Sequence, residues 1–218
     1  MINNWYLLIL SFSFISYMNS FIAVNMIDPM HTSPALSDMG FYYLPRVSQT
    51  IPNIYLLSYC CYFIMRFMKS RNWDKIKNLI WNITVLFLIR LITFSVTIVP
   101  PSTMNCYSRN ETESIVFNTL KIIIQNDNTC LDNMFSGHAT YFTIMYLTML
   151  DLSDSRYEKI FLSIYTIVGI LSIICGHIHY SVDVIVGVVI SYLIFENARL
   201  RNMYLFMLDL YLEDQKMH

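Results

Sequence analysis

From Ile160 to Phe195 the chain runs for 36 residues with a single formal charge, Asp183. As one helix that stretch would be roughly 54 Å long at about 1.5 Å per residue. A bilayer's hydrocarbon core is only about 30 Å thick, so the stretch has to cross twice and fold back. The polar group Cys175-Gly176-His177-Ile178-His179 is the place for that turn. Four further apolar stretches repeat the pattern. Residues 1–27 carry no charge, with an apolar body over 5–24 that reads as a retained span; it lacks the basic start and small-residue cleavage site of a signal peptide. Residues 51–68 are uncharged up to Arg66, 79–99 hold only Arg90, and 134–150 hold none. The expected fold class is therefore all-α, an integral membrane bundle of six spans at about 5–24, 51–68, 79–99, 134–150, 160–176 and 178–195. Together they form one membrane domain over 1–195, followed by a tail at 196–218.

Composition agrees. Charged residues are 13% of the chain, about half the share of a soluble domain. A net charge of −1 offers no basic field for nucleic acid. Lys and Arg set the orientation, because cytosolic loops carry the excess. One set of connections holds Arg66, Lys69, Arg71, Lys75, Lys77, Arg156, Lys159, Arg199, Arg201 and Lys216; the other holds Arg46, Arg109 and Lys121. Ten against three puts both termini in the cytosol and the loops 25–50 and 100–133 on the lumenal or outer side. The sequon at Asn110 and the pair Cys106 and Cys130 fall in that second loop, where a glycan and a disulfide are permitted.

The chemistry-bearing residues cluster at the lumenal ends of spans. His138 follows Ser136 and Gly137 at the start of the fourth, and His179 and Asp183 open the sixth. A spacing of four puts His179 and Asp183 on one helix face. A carboxylate there can accept an imidazole N–H, fix the tautomer and leave the other nitrogen free to attack. Ser136-Gly137-His138 forms a helix entrance whose backbone N–H groups can receive a phosphate. A single His at a span end is more often an interfacial residue, and His179 with Asp183 could be a satisfied polar pair. Ionisable residues within spans are nevertheless costly and mark function, and the joint pattern on one side favours a site.

These residues fall into four motifs. Cys130-Leu131-Asp132-Asn133-Met134-Phe135-Ser136-Gly137-His138 has the form C-x-D-x-x-x-S-G-H. His177 to Val184 has the form H-x-H-Y-[TS]-x-D-V. Arg90, Ile92, Thr93, Val96, Thr97 and Pro100 fit R-x-I-T-x-x-V-T-x-x-P, and Pro34 to Phe41 gives a proline-and-aspartate element. In this order and spacing the chain resembles the sphingomyelin synthase family, within the type-2 phosphatidic acid phosphatase superfamily, over about residues 30–190. Phosphatases of that superfamily carry an arginine six residues before the second histidine, where this chain has Ile173, and a lysine-and-arginine motif ending in Arg-Pro that is missing here. Ala139, Leu131 and Val188 depart from the synthase pattern.

The resemblance implies transfer of a phospho-headgroup from a glycerophospholipid to ceramide through a phosphohistidine. His179 would be the nucleophile, Asp183 its orienting partner and His138 the general acid and base. Arg90, Ser136 and Gly137 would hold phosphate oxygens, or Arg90 would serve as a structural strut. Asp132 and Asp38 would bind a cationic headgroup, or be helix caps. No metal or cofactor is expected, the partners are the phospholipid donor and ceramide, and a homo-oligomer is compatible. The implied location is a Golgi, endomembrane or plasma membrane, with the site lumenal or extracellular. The alternative activity is a lipid phosphate phosphatase using the same site with water as acceptor; a non-catalytic membrane scaffold is the reading from outside enzymology.

Overall fold

The computed structural model describes residues 5–25, 34–97, 99–102, 114–123 and 134–217; side chains are described only up to residue 200, and not at positions 25, 122 and 123. Eight helices follow in order: α1 (Trp5–Asn25), α2 (Met39–Tyr43), α3 (Thr50–Ser70), α4 (Trp73–Val96), α5 (Ile115–Ile123), α6 (Gly137–Leu152), α7 (Arg156–Cys175) and α8 (Ser181–Met217). No residue described is in a strand. Four of the helices are long and apolar enough to cross a membrane: α1 over Trp5–Val24, α4, α7, and α8 over Ser181–Leu200.

The other two expected spans, 51–68 and 134–150, are helices of a different kind. α6 has 16 residues and is the hub of the bundle, packing on α3, α4, α7 and α8. Because it is enclosed, it need not be uniformly apolar. Its threonines satisfy themselves on the preceding turn: Thr140, Thr143 and Thr148 donate to the carbonyls of Ser136, Ala139 and Ile144 at 2.8–2.9 Å. α3 buries Leu56, Tyr59, Phe63 and Phe67 on one stripe and turns Ile54, Leu57, Ile64 and Met65 outward. Apolar side chains face outward on α1, α7 and α8 as well, as a bundle immersed in lipid requires.

In lipid, apolar burial gives helices little reason to associate, so close packing through small residues takes over. Two glycines supply it. A Cβ on Gly169 of α7 would stand 2.6 Å from the Phe142 ring of α6, and one on Gly187 of α8 would stand 3.0 Å from the Ser136 carbonyl oxygen. The second approach draws the starts of α6 and α8 together.

Several boundaries differ from expectation. α4 begins at Trp73, six residues before the apolar stretch, because Asn72 caps it by accepting from Lys75 N–H at 3.3 Å. α8 continues unbroken to Met217 through the expected tail; after Gly187 no glycine or proline interrupts it. The segments between α1 and α3 and between α4 and α6 contain α2 and α5, neither foreseen. α5 packs on α1 and α2 on α7, so tertiary contact sustains helices too short to stand alone. The turn between α7 and α8 falls where the polar cluster put it, with His177 at φ 54° in the left-handed region. Cys106, Asn110, Cys130, Asp132 and His31 lie outside the described residues.

Candidate active site

Three helices bring their polar residues to one point. On α6, Ser136 is the N-cap, its hydroxyl accepting from Ala139 N–H at 3.2 Å. Its own N–H donates to the Asp183 carbonyl at 3.1 Å, so backbone binds backbone across the start of α8. His138, the second residue of α6, and His179, just before α8, face each other with ring centroids 6.1 Å apart and planes at 60°. Arg90 reaches in from α4. Its Nε donates to the Phe135 carbonyl at 3.1 Å, and its guanidinium lies over Gly137, where a Cβ would come within 3.8 Å. Ser136, His179, Asp183 and Arg90 are each at most 7% exposed, while His138 is half-buried. Burying this much charge in a membrane bundle is expensive, and such groups persist where they face a site rather than lipid.

Asp183 also works on its own helix: its Oδ2 accepts from the Tyr180 N–H at 3.1 Å, which closes the first turn of α8 next to His179. The expected residues His138, His179, Asp183, Arg90, Ser136 and Gly137 thus converge.

Asp38 lies on the loop between α1 and α3 and clamps the same region. Its Oδ1 caps α2 by accepting from Phe41 N–H at 3.2 Å. The carboxylate then takes both donors of Ser181, the N–H at 2.8 Å and the hydroxyl at 2.7 Å. Burial alone would raise its pKa, but these donors outweigh it and hold the carboxyl below its ordinary value. Tyr180 adds a second tie, its hydroxyl accepting from Leu36 N–H at 3.0 Å and approaching the Pro100 and Pro101 carbonyls at 3.1 and 3.2 Å. Ser102 donates to the carbonyls of His177 and Ile178. Three separate segments, 34–49, 99–102 and 176–180, are therefore sewn together above the histidines.

His177 belongs to this stitching. Its ring stacks on Phe41 at 4.1 Å, and burial, helped by the positive charge of Arg46, lowers its pKa and keeps the imidazole neutral. Ile173, where the phosphatase pattern has arginine, is completely buried in the core.

Asn53 of α3 was not singled out from the sequence. Its Oδ1 stands 2.7 Å from His138 Nε2. An amide oxygen can only accept, so this contact puts a proton on Nε2. No motif marks Asn53. The signal available was its place at the start of an expected span, at the same end of the bundle as His138. Among the described residues no three of His, Cys, Asp or Glu converge as a metal site would require.

The chain is similar to known proteins over the segments that carry these residues. The profile described as "PAP2 superfamily C-terminal" matches residues 129–200, a segment that contains His138, His179 and Asp183. The chain is 28% identical over 171 residues to phosphatidylinositol:ceramide inositolphosphotransferase 2 of Arabidopsis thaliana, covering 71% of this chain and 56% of that protein. It is 33% identical over 120 residues to phosphatidylcholine:ceramide cholinephosphotransferase 1 of Rattus norvegicus, covering 49% and 28% respectively. The rice phosphatidylinositol:ceramide inositolphosphotransferase (Oryza sativa subsp. indica) matches at 26% over 174 residues, 71% of this chain and 53% of that protein. The chain spans about half the length of the plant relatives. The two histidines thus lie in the segment that matches the PAP2 superfamily C-terminal profile, in a chain similar to ceramide phosphotransferases.

Proposed function

We propose that the protein transfers a phospho-headgroup from a glycerophospholipid to ceramide and releases diacylglycerol. The observation that carries this reading is the facing pair His138 and His179, 6.1 Å apart beside the buried Arg90. A phosphoryl group seated beside the two rings, rather than between them, can meet a nitrogen of each, one at near-attack distance of about 3 Å and the other through a hydrogen bond to the leaving oxygen. The names of the relatives give ceramide as acceptor and phosphatidylinositol or phosphatidylcholine as donor.

In the first step a ring nitrogen of His179 attacks phosphorus, and the bond from phosphorus to the diacylglycerol oxygen breaks. The His138 imidazolium gives that oxygen its proton. In the second step the ceramide hydroxyl attacks phosphorus, its proton passes to His138, and the phosphorus–nitrogen bond breaks. Asp183 orients His179. Arg90 and the start of α6 receive the equatorial oxygens, whose charge is greatest midway. Asp132 is the remaining candidate for the headgroup.

The basic-residue bias supports six spans in a domain over 1–195, with α3 and α6 completing the set, both termini cytosolic and the site on the lumenal or outer side of an endomembrane or plasma membrane. The test is fluorescent ceramide turnover in vesicles containing one donor at a time. A phosphorylated ceramide product is the expected result. Free phosphate released from a lipid monophosphate, with ceramide untouched, would establish the phosphatase instead. The completely buried Ile173 speaks for the transferase, because it puts an apolar side chain where the phosphatase pattern has a cation.

A further inference from the structure

Between α1 and α3, the five-residue helix α2 divides its side chains by face. At about 3.6 residues per turn, Met39, Tyr42 and Tyr43 share one side and Phe41 points the opposite way. The inward side is tied to the bundle. Phe41 stacks on His177 and Tyr180 with ring centroids 4.1 and 5.6 Å apart. A Cβ on Gly40 would collide with the Ser181 hydroxyl and the Ile174 side chain, and Asp38 holds Ser181 through two hydrogen bonds. The outward side is open. Leu36, Met39, Tyr42 and Tyr43 are 52–80% exposed, and the two tyrosine rings pack edge to face at 4.9 Å as one aromatic block.

The level at which α2 sits follows from its contacts. Ile174 is the penultimate residue of α7 and Ser181 the first of α8. The membrane-length parts of both helices, 20 residues each, reach about 30 Å, the thickness of the hydrocarbon core. Their ends at α2 therefore mark the boundary between hydrocarbon and headgroups, and α2 lies at that boundary. Starting beside Ser181, Val182, Ile185 and Val189 of α8 are 50–60% exposed, so the outward face of α2 continues a lipid-facing surface.

We propose that residues 36–43 form a membrane-docking plate, whose partner is the lipid leaflet at the histidine end of the bundle. Leu36, Met39, Tyr42 and Tyr43 insert about 5–10 Å into its headgroup and acyl boundary. Leucine and methionine suit the acyl side, and tyrosine places its ring in that region and its hydroxyl among headgroups. The exposed Arg46, three residues beyond Tyr43, adds a cation for lipid phosphate. A patch of four side chains falls well short of the roughly 20–30 residues a side of a stable protein interface, which favours lipid over a second copy of the chain. Because Asp38 and Phe41 join the plate to Ser181 and His177, a docked α2 holds the loops above the histidines at the leaflet surface. The inference stands whether or not the histidine site is a transferase.

The test uses the whole chain in phosphatidylcholine vesicles. In Tyr42→Trp and Tyr43→Trp, the fluorescence added over wild type should be lost to lipids brominated near the carbonyl end of the acyl chain. Lipids brominated near the methyl end should quench it less, and aqueous iodide least. Photolabelling of the unsubstituted protein with a carbene-forming phospholipid analogue probes the same face without a substitution, so a misfolded variant does not decide the matter. Label should fall within residues 36–43 as well as on the exposed positions of α8. Full quenching by iodide with none by brominated lipid puts the plate in water and overturns the proposal. Shielding from both quenchers overturns it too, by showing that a second copy or another part of the chain covers the face. Label on α8 with none on 36–43 does the same.

Discussion

Removing the Asp38 carboxylate separates two roles that its chemistry allows. As a clamp, it takes three donors, from Phe41 N–H and from both groups of Ser181. Hydrogen bonds to a charged acceptor are worth about 1.5–3 kcal/mol each when well buried. Asp38 is only partly buried and its donors regain water, so a total near 3 kcal/mol is expected for Asp38→Ala. For a chain of this size that lowers Tm by about 6–12 °C. The first turn of α8 then keeps the Asp183 bond to Tyr180 N–H, the Tyr180 hydroxyl ties and the bond from Ser136 N–H, but loses its link to the 34–49 segment at Ser181. A displacement of about 1 Å at His179 costs on the order of 10²-fold in turnover. Asp38→Asn keeps one acceptor and should fall midway. The pH dependence carries a sign. Asp38 has a folded pKa below its unfolded value of about 3.9. Its contribution is therefore complete above that value and is lost only as pH falls through the folded pKa beneath it. The gap between wild type and Asp38→Ala should be flat from pH 5 to 8.

The assay is ceramide turnover in reconstituted vesicles, with kcat and KM measured for phosphatidylcholine and phosphatidylinositol, beside thermal unfolding in detergent. A clamp lowers kcat for both donors alike. If Asp38→Ala instead keeps its Tm and its kcat, and raises KM for the choline donor alone, Asp38 is a headgroup ligand and the clamp argument is wrong.

Four more outcomes follow from the geometry. His179→Ala should abolish any trapped phosphoenzyme, whereas His138→Ala should slow its formation about 10²–10⁴-fold with a lipid donor and far less with a nitrophenyl donor, whose leaving group needs no proton; label trapped in the first variant but not the second reverses the roles. Asn53→Leu leaves His138 Nε2 without its 2.7 Å partner, so kcat should fall and the pH profile of kcat should shift; an unchanged profile removes Asn53 from the site. Gly187→Val puts branched carbon against the Ser136 carbonyl, 3.0 Å from where a Cβ would sit, and should cost about 1–3 kcal/mol and most activity by parting α6 from α8. Arg90→Lys keeps the charge but removes the Nε–H held by Phe135, so it should lose at least tenfold in kcat where a purely electrostatic role would lose little.

What the sequence disclosed and what it hid divide along a physical line. A lipid-facing face must be apolar, so the membrane-length parts of α1, α4, α7 and α8 were legible from runs holding at most one charge. The turn at Cys175–His179 was legible too, since 36 residues cannot cross once. The placing of Asp183 four residues after His179 is local, at the entrance to one helix. Contacts between residues far apart in sequence leave no such trace. Asn53 meets His138 across 85 positions and Asp38 meets Ser181 across 143, and each looks like an ordinary polar residue near a span end. The short helices α2 and α5 are equally silent, because neighbours stabilise them rather than their own composition.

The enclosed helix explains why the chemistry sits where it does. α6 is surrounded by α3, α4, α7 and α8, so polar side chains along it never meet lipid. Its N-terminus can therefore present Ser136, Gly137 and His138 to buried partners on α4 and α8, at the close approach that Gly187 permits. Near the C-terminus of the same helix, Asp151 and Thr148 line a crevice that also holds Asn82. Placing the least lipid-exposed helix at the centre is what lets one bundle hold the histidine site at one end and a polar crevice at the other.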